Sequence, residues 1–371
     1  YALHVRGFTR HRSSGVKHKG TYAGVTEKIP YMQELGINMA LLMPSYEFDE
    51  IMPENTAQTM EQAVLSYKQE LPEPGGDDGK KPRLNYWGYQ PGLYYVPKSA
   101  YAYSKDAVGE FKDMVKAFHR AGIGVSMQFY FPPEMRTADI LDVLKYWVLE
   151  YHIDGFHLMS ANLSMDLIAG DPLLAETMLL TGEWNARRGG DGKRNVGWLS
   201  DGFLYDMRRF IKGDDNMINQ FLFHVRENKD EIGIVNSIAR WDGFRLVDLV
   251  SYERKHNEEN GEDNKDGMDY NCSWNCGVEG KSRKKSIQEL RLRQMKNAVT
   301  ILFMSQGTPL LYSGDEFANT QGGNNNPYCQ DNDVAWIKWN QTGMGRELLA
   351  YTKFMITLRK AHGILHSKTL L

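Results

Sequence analysis

The sequence has few of the features that mark disulfide-rich, metal-binding and membrane-spanning proteins. Only three of its 371 residues are cysteines, Cys272, Cys276 and Cys329, and this odd, sparse set argues against a disulfide framework. Cys272 and Cys276 have no second Cys or His pair at the spacing of a zinc site, so no metal is expected. No apolar run is long enough to cross a bilayer.

The sequence also lacks an excess of charge and a nucleotide-binding motif. Its net charge is −3, so neither nucleic acid nor an anionic membrane is expected as a partner. No GxGxxG turn opens a helix after a strand, which disfavours a dinucleotide-binding sheet, and no cofactor is predicted. No signal peptide is visible and a cytoplasmic location is expected. The chain opens directly on a predicted strand, which is also compatible with an excised domain.

Aromatic residues, in contrast, are abundant. They make up 12% of the chain, with 8 Trp and 20 Tyr. Aromatic faces suit stacking on sugar rings, and they also fill ordinary protein cores. The composition therefore permits a carbohydrate-binding surface. Whether a given ring binds sugar or fills the core depends on its position in the structure.

Short apolar segments alternate with helical patterns along the chain. The run INMALLM at Ile37–Met43 is typical of a parallel strand covered on both faces. Eight such strands separated by helices indicate an α/β fold, a single (β/α)8 TIM barrel over residues 1–371. The predicted strands are Tyr1–Phe8, Ile37–Met43, Ile123–Tyr130, Ile153–Met159, Thr177–Glu183, Asn195–Leu199, Glu231–Ala239 and Pro309–Tyr312. The predicted helices are Val25–Leu35, Lys105–Ala121, one within Pro132–Tyr151, Asp201–Lys212, Asn216–Glu227, Ser286–Gln306 and Glu347–His362.

Two polar stretches break the alternation. Residues 46–84 contain several Pro and Gly and the charged tract DDGKK, which predicts a surface insertion after the second strand, with one helix near Met60–Glu70. Asn257–Asp269 offers oxygen ligands for a cation but lacks the D-x-D-x-D-G spacing of a calcium loop. A solvated loop is therefore the favoured interpretation of that run.

A (β/α)8 barrel carries its functional residues at the C-terminal ends of the strands and in the loops that follow. Polar residues at those places become candidate site residues. They are His4, Arg6, Gln128, His157, Glu183, Asp242 and the Gly314-Asp315-Glu316 turn.

Long segments scattered from residue 1 to about 333 resemble one protein family. They include NYWGYQP, YHIDGF, DGFRLVDLVSY, KHNEENGEDNKDG, QGTPLLYSGDEF and TQGGNNNPYCQDND. The chain resembles the isoamylase and glycogen-debranching, pullulanase-type branch of the α-amylase superfamily of glycoside hydrolases. The resemblance implies a (β/α)8 barrel, an α-1,6-branched glucan as ancestral substrate, and retaining hydrolysis by two carboxyl groups roughly 5 Å apart. It also implies flanking β-sandwich domains, which are not visible in this chain.

The fourth predicted strand departs from the family pattern at its decisive position. The family has GFRFD, whose final Asp is the nucleophile, and this chain has Gly155-Phe156-His157-Leu158-Met159. Met159 therefore stands in the nucleophile position and His157 in that of the helper arginine. A thioether has no charge and no ionisable proton, so it cannot replace the carboxylate.

The fifth strand leaves the acid's position open. The family has AEPW or GEPW, and this chain has Thr181-Gly182-Glu183-Trp184. Without a gap, Gly182 takes the acid's place and Glu183 points to the other face, because strand side chains alternate. If the Pro has instead been deleted, Glu183 is the retained acid. The sequence alone does not choose between the two registers.

The seventh and third strands are altered as well. The family's His-Asp pair after strand seven is Trp241-Asp242 here, so only the third carboxylate, which holds sugar hydroxyls, is kept. The family's DVVxNH pattern is also changed, with Gln128 at the Asp and Pro133 at the His. The long loop that follows in relatives is nearly absent, which predicts a more open groove.

These departures favour a pseudoenzyme that no longer cleaves α-glucan but still binds it, with glycogen, amylopectin or maltooligosaccharide as the partner. The expected substrate contacts are His157, Trp87, Tyr89, Trp184, Trp241 and Glu316. One alternative is an active retaining hydrolase that uses Glu183 with Asp242 or Asp166. Another is a non-catalytic subunit that partners an active debranching enzyme.

Overall fold

The computed structural model describes residues 1–52, 83–161, 163–182, 195–229 and 232–367. Within these ranges, eight strands form one parallel sheet in the order β1-β2-β5-β6-β7-β8-β9-β10, and β3 and β4 form a separate antiparallel pair. The strands are β1 Ala2–Leu3, β2 Met39–Leu42, β3 Tyr46–Phe48, β4 Gly92–Pro97, β5 Gly124–Tyr130, β6 Gly155–Met159, β7 Met178–Thr181, β8 Val196–Leu199, β9 Gly233–Asn236 and β10 Thr308–Pro309.

Helices follow the barrel strands and pack outside them. They are α1 Val5–Thr9, α2 Tyr22–Glu27, α3 Ile29–Leu35, α4 Ala107–Arg120, α5 Thr137–Tyr151, α6 Met165–Gly170, α7 Asp201–Lys212, α8 Ile218–Arg226, α9 Leu246–Leu249, α10 Lys285–Met304 and α11 Gly343–Ala361. The predicted bounds of α7 are observed because Ser200 caps its first turn and Gly213 ends it in a left-handed conformation. None of the helices in the described ranges is both long and apolar enough to cross a membrane.

The two ends of the sheet meet beyond β10. Tyr312 forms a parallel bridge with Ala2. The Ala2 N–H donates to Leu311 O at 2.9 Å, and the Ser313 N–H donates to Ala2 O at 2.9 Å. The sheet therefore closes on itself, and the predicted α/β (β/α)8 barrel is confirmed.

The first predicted strand is wrong in length, because it ends at Leu3 rather than Phe8. His4 has an extended backbone and caps α1, with the Gly7 N–H donating to His4 Nδ1 at 3.0 Å. This side-chain cap turns the chain into a helix immediately after the barrel wall. As a result, His4 lies at the start of α1 and Arg6 lies within α1, and neither belongs to a strand.

The region predicted as an insertion is bordered by a pair of strands that the sequence did not indicate. β3 pairs antiparallel with β4, with Glu47 opposite Leu93 and Phe48 opposite Gly92. The predicted helix at Met60–Glu70 lies outside the described residues. The pairing of β3 with β4 therefore joins the segment at the start of the insertion to the segment that follows it.

The barrel strands separate an outer core from an inner core by alternation. On β6, Phe156 and Leu158 are 0% and 1% exposed and belong to the outer core beneath the helices. Leu41, Leu180 and Val235 belong instead to an inner core inside the ring. Because side chains alternate along a strand, His157 and Met159 share the inward face.

A buried ion pair joins the loops after β9 and β10. Arg245 is fully buried, and its Nη2 donates to Ser313 O at 2.6 Å. Its Nε lies 3.7 Å from Asp315 Oδ1, which also accepts from the Leu246 N–H. Burial raises the pKa of Asp315 to about 7, although the positive charge of Arg245 acts in the opposite direction. The Asp315 carboxyl group of the Gly314-Asp315-Glu316 turn is thus a buried structural group and does not line the barrel opening.

The contribution of Asp315 to stability is expected to fall as the pH rises from about 4 to about 7. Its folded pKa is raised above its usual value, so its contribution is fully present below the unfolded pKa and is lost as the pH rises through about 7. The slope is at most about 1.4 kcal/mol per pH unit for one proton. Urea titrations between pH 4 and 8 measure it, and Asp315→Asn is expected to flatten the curve. An unchanged curve in that variant would contradict the assignment.

Candidate functional site

Three inward side chains stand in register near the C-terminal ends of β5, β6 and β7. Gln128 pairs with His157, and His157 pairs with Leu180. Met159 follows His157 on the same face at the end of β6. We call the opening formed by Gln128, His157, Met159, Gly182 and Asp242 the barrel mouth.

A hydrogen-bonded chain links the loop before β4 to the barrel interior. The Tyr89 hydroxyl donates to Gln128 Oε1 at 2.6 Å, and Gln128 Nε2 lies 3.2 Å from His157 Nδ1. The amide nitrogen can only donate, so Nδ1 accepts and the imidazole proton resides on Nε2. Burial, together with the nearby Arg240, lowers the pKa of His157 to about 4. His157 is therefore a neutral group near pH 7 and cannot supply the positive charge of an arginine.

Met159 is half-buried at the rim, and its backbone oxygen accepts from the Phe131 N–H at 2.9 Å. That bond fixes the end of β6 against the segment after β5. The sulfur-bearing side chain shares the inward face with His157. The structure thus brings the matched nucleophile position to the barrel mouth and places a thioether there.

The end of β7 carries no side chain toward the mouth. Leu180 belongs to the inner core, and Gly182 lies two residues later, just beyond the strand. The Trp198 indole donates to Gly182 O at 3.3 Å. Gly182 is the residue that the ungapped register gives to the acid's position. The predicted acid Glu183 and the predicted contact Trp184 lie outside the described residues.

Asp242 lies at the mouth but is held by a cation. Arg240 Nε is 3.3 Å from Asp242 Oδ1, and Arg240 Nη2 donates to Asp201 Oδ1 at 2.8 Å. Burial acts to lower the pKa of Arg240, and the two carboxylates offset this and raise it above its usual value. Sequence reasoning missed Arg240, although a basic residue two positions before the matched Asp was a readable signal. The retained carboxylate is therefore neutralised by a neighbour on its own loop.

The predicted aromatic contacts differ in their access to the mouth. Tyr89 is partly exposed, whereas Trp87 is 3% and Trp241 is 1% exposed. Trp241 lies 5.7 Å from the His157 ring, and its indole N–H has no hydrogen-bond partner among the described residues. Trp87 packs edge-on against Tyr328, with ring centroids 6.4 Å apart. Trp241 and Trp87 are buried, and Tyr89 alone of these three is partly exposed.

Glu316 does not reach the barrel mouth. It is fully buried, and its Oε1 accepts from the hydroxyls of Tyr1 and Tyr31 at 2.6 Å each. Its Oε2 accepts from the Gly314 N–H at 2.7 Å. Tyr1 belongs to the outer core, so Glu316 joins the barrel wall to α3. The expected sugar contact at Glu316 has no geometric support.

The side chains of His4 and Arg6 also make structural contacts. His4 Nε2 lies 2.7 Å from Tyr86 O, its ring stacks on Tyr86 at 4.0 Å, and burial lowers its pKa to about 4. Arg6 Nε donates to Asp331 at 2.7 Å. Asp166, the alternative carboxylate, is exposed in the first turn of α6. None of these three side chains is among those that form the mouth.

The polar run after β9 is mostly exposed or partly exposed, as a solvated loop would be, but Asn257, Asn260 and Asp266 within it are buried. Asp266 is 1% exposed, and its Oδ2 accepts from the amides of Asn260 at 2.7 Å and Asn326 at 2.9 Å. Asn257 Nδ2 donates to Asn325 Oδ1 at 2.8 Å. In the described ranges, no three His, Cys, Asp or Glu side chains are grouped as metal ligands. This asparagine network instead ties the loop after β9 to the loop after β10.

Comparisons with known proteins agree with this architecture. No family model matches the chain. It is 30% identical over 462 residues to isoamylase 1, chloroplastic, of Oryza sativa subsp. japonica, which covers 97% of this chain and 54% of that protein. It is 31% identical over 443 residues to a glycogen operon protein GlgX homolog of Mycobacterium tuberculosis, covering 98% of this chain and 58% of that protein.

The whole of this chain matches the fold of a solved pullulanase. A mutant pullulanase from Paenibacillus barengoltzii, solved in complex with maltotetraose, superposes with a TM-score of 0.70 at 20% identity. The match covers 100% of this chain and 64% of that one. This chain therefore spans a little over half the length of the curated relatives that it matches. It belongs to the isoamylase and glycogen-debranching branch of the α-amylase superfamily of glycoside hydrolases.

Proposed function

We propose that this chain binds α-glucan at the barrel mouth and hydrolyses it slowly or not at all. The observation that carries the proposal is Met159, which stands inward at the end of β6 where the family places its nucleophile. A retaining glycosidase needs a carboxylate there to capture the anomeric carbon. A thioether side chain has no negative charge and no ionisable proton, so it cannot take the carboxylate's role in this chemistry.

Two further features of the mouth support loss of turnover. Asp242 is paired with Arg240 at 3.3 Å, so the third carboxylate is already neutralised. His157 is neutral and bound to Gln128. The pairing of Asp242 weakens the stabilisation of positive charge that a glycosyl transition state requires, and a neutral His157 cannot make the charge-assisted hydrogen bonds of the family's arginine.

Retention of glucan is supported by the polar and aromatic groups that remain. Tyr89 is partly exposed beside Gln128, and Asp242 is 26% exposed. A ring surface next to hydrogen-bonding groups is the usual composition of a small-ligand site. The names of the relatives, an isoamylase and a glycogen operon protein, make branched α-glucan the substrate class to test.

The purified chain is expected to be retarded on a glycogen affinity gel, and Tyr89→Ala is expected to weaken retention about tenfold through loss of the ring contact. Phe354→Ala is the matched control, because Phe354 is a 57% exposed aromatic on the outer helix α11. Equal retention of the wild type and Tyr89→Ala, or no retardation of the wild type, would contradict glucan binding at the mouth.

A further inference from the structure

A second cleft opens on the far side of the loop after β10. It has a volume of about 510 Å³ and lies between the segment after β9 and the segment after β10. The cleft is distinct from the mouth, because none of the five residues that define the mouth is among those that line the cleft. This volume falls in the range of sites for small organic ligands.

The lining of the cleft has little net charge. The carboxylates Glu258, Glu259 and Asp333 are opposed by Lys281 and Lys338. Such a mixture does not favour a polyanion or a polycation. It suits a neutral ligand that carries many hydroxyl groups, because donors and acceptors are both present.

An aromatic side chain stands in the same wall. Trp336 lines the cleft and is partly exposed. Its indole N–H donates to Asp331 Oδ1 at 2.8 Å, and Asp331 Oδ2 accepts from Arg6. The ring is therefore held in one orientation before any ligand arrives, which lowers the entropic cost of binding.

One amide in the cleft wall has no partner. Gln321 is 4% exposed, and neither its Nε2 nor its Oε1 has a hydrogen bond to any residue in the described ranges. Its backbone N–H donates to Asp248 Oδ2 at 2.8 Å. The main chain is thus anchored while the side-chain donor and acceptor remain unsatisfied. Buried polar groups are nearly always hydrogen-bonded, so this pair needs an explanation.

The walls on both sides of Gln321 are rigidly connected. Asn324 Nδ2 donates to Asn260 Oδ1 at 3.0 Å, and the Asn325 N–H donates to Asn257 Oδ1 at 3.0 Å. Thr320 is hydrogen-bonded to Asp248. The asparagine network therefore holds the cleft open in a preformed shape.

We propose that this cleft is a second α-glucan-binding site, in which Trp336 stacks on a glucosyl ring and the Gln321 amide turns toward two neighbouring hydroxyls. One donor and one acceptor on the same planar group match a vicinal diol. The choice of glucan rests on the proposed function of the chain. The site is distinct from the mouth, so a glucan too short to span both places occupies them independently.

Isothermal titration calorimetry with maltotriose tests the proposal. The wild-type chain is expected to bind two molecules, and Tyr89→Ala and Gln321→Leu are each expected to lose one. Gln321→Leu replaces an unpaired amide by an apolar side chain of similar size, so its melting temperature is expected to stay equal or rise. Trp336→Phe is a second cleft variant and is expected to weaken the same site about tenfold.

The outcomes separate the cleft from the mouth. A single site that disappears in Tyr89→Ala and is unchanged in Gln321→Leu and Trp336→Phe overturns the cleft and leaves the proposed function standing. A single site that disappears only in the two cleft variants supports the cleft and overturns binding at the mouth. No heat of binding in the wild type overturns both.

Discussion

Release of reducing ends from glycogen by this chain is expected to be slower than by rice isoamylase 1 by at least about 10⁴-fold, because loss of a catalytic nucleophile has effects of this order or larger. The physical reason is that sulfur stands at Met159 in place of a charged oxygen. A reducing-sugar assay on glycogen, pullulan and amylopectin at high protein concentration measures the difference.

Two variants test the prediction of slow hydrolysis further. Met159→Asp places a carboxylate at the rim, yet is expected to remain inactive, because the ungapped register puts Gly182, which provides no acid, in the acid's place. Glu183→Gln is expected to have no effect on the wild-type rate. Hydrolysis by the wild type that vanishes in Glu183→Gln would show that Glu183 is the acid and that the ungapped register is wrong.

At pH 8, where Asp315 is ionised, Arg245→Met is expected to destabilise the protein by about 3–5 kcal/mol, the usual cost of breaking a buried ion pair from one side. The change leaves Asp315 1% exposed without its cation. It also removes a guanidinium that lies 4.1 Å from the Tyr312 ring centroid. Urea unfolding followed by tryptophan fluorescence measures the loss.

The double variant Arg245→Met with Asp315→Asn is the control. Removing both charges abolishes the uncompensated carboxylate, so part of the stability is expected to return. A strictly additive double variant would mean that the two groups do not interact. A single-variant loss below about 1 kcal/mol would mean that water reaches the pair.

The barrel could be predicted from the sequence because its strands are short, apolar and spaced by helices. Ile37–Met43 and Ile123–Tyr130 each enclose an observed strand, β2 and β5. Their two-sided burial leaves a pattern that depends only on neighbouring residues. The position of Met159 at the rim followed from the end of β6 in the same way.

The rest depended on contacts between distant residues. Glu316 follows a strand end, as a mouth residue would, but its side chain binds Tyr1 and Tyr31, which lie far away in the sequence. The β3–β4 hairpin lies at the borders of a Pro- and Gly-rich stretch and has no turn signature of its own. Within the polar run Asn257–Asp269, Asn257 and Asp266 are buried because asparagines after β10 complement them. No local pattern contains that information.

The seam between Ala2 and residues 311–313 has a consequence for biosynthesis. During synthesis, β1 can pair with β2 early. Its other edge has no partner until Tyr312 has been made, when nearly the whole described chain has left the ribosome. An exposed strand edge invites association with other chains. We expect folding of this protein to be slow and aggregation-prone until the ring closes, since its last pairing has one of the longest sequence separations available.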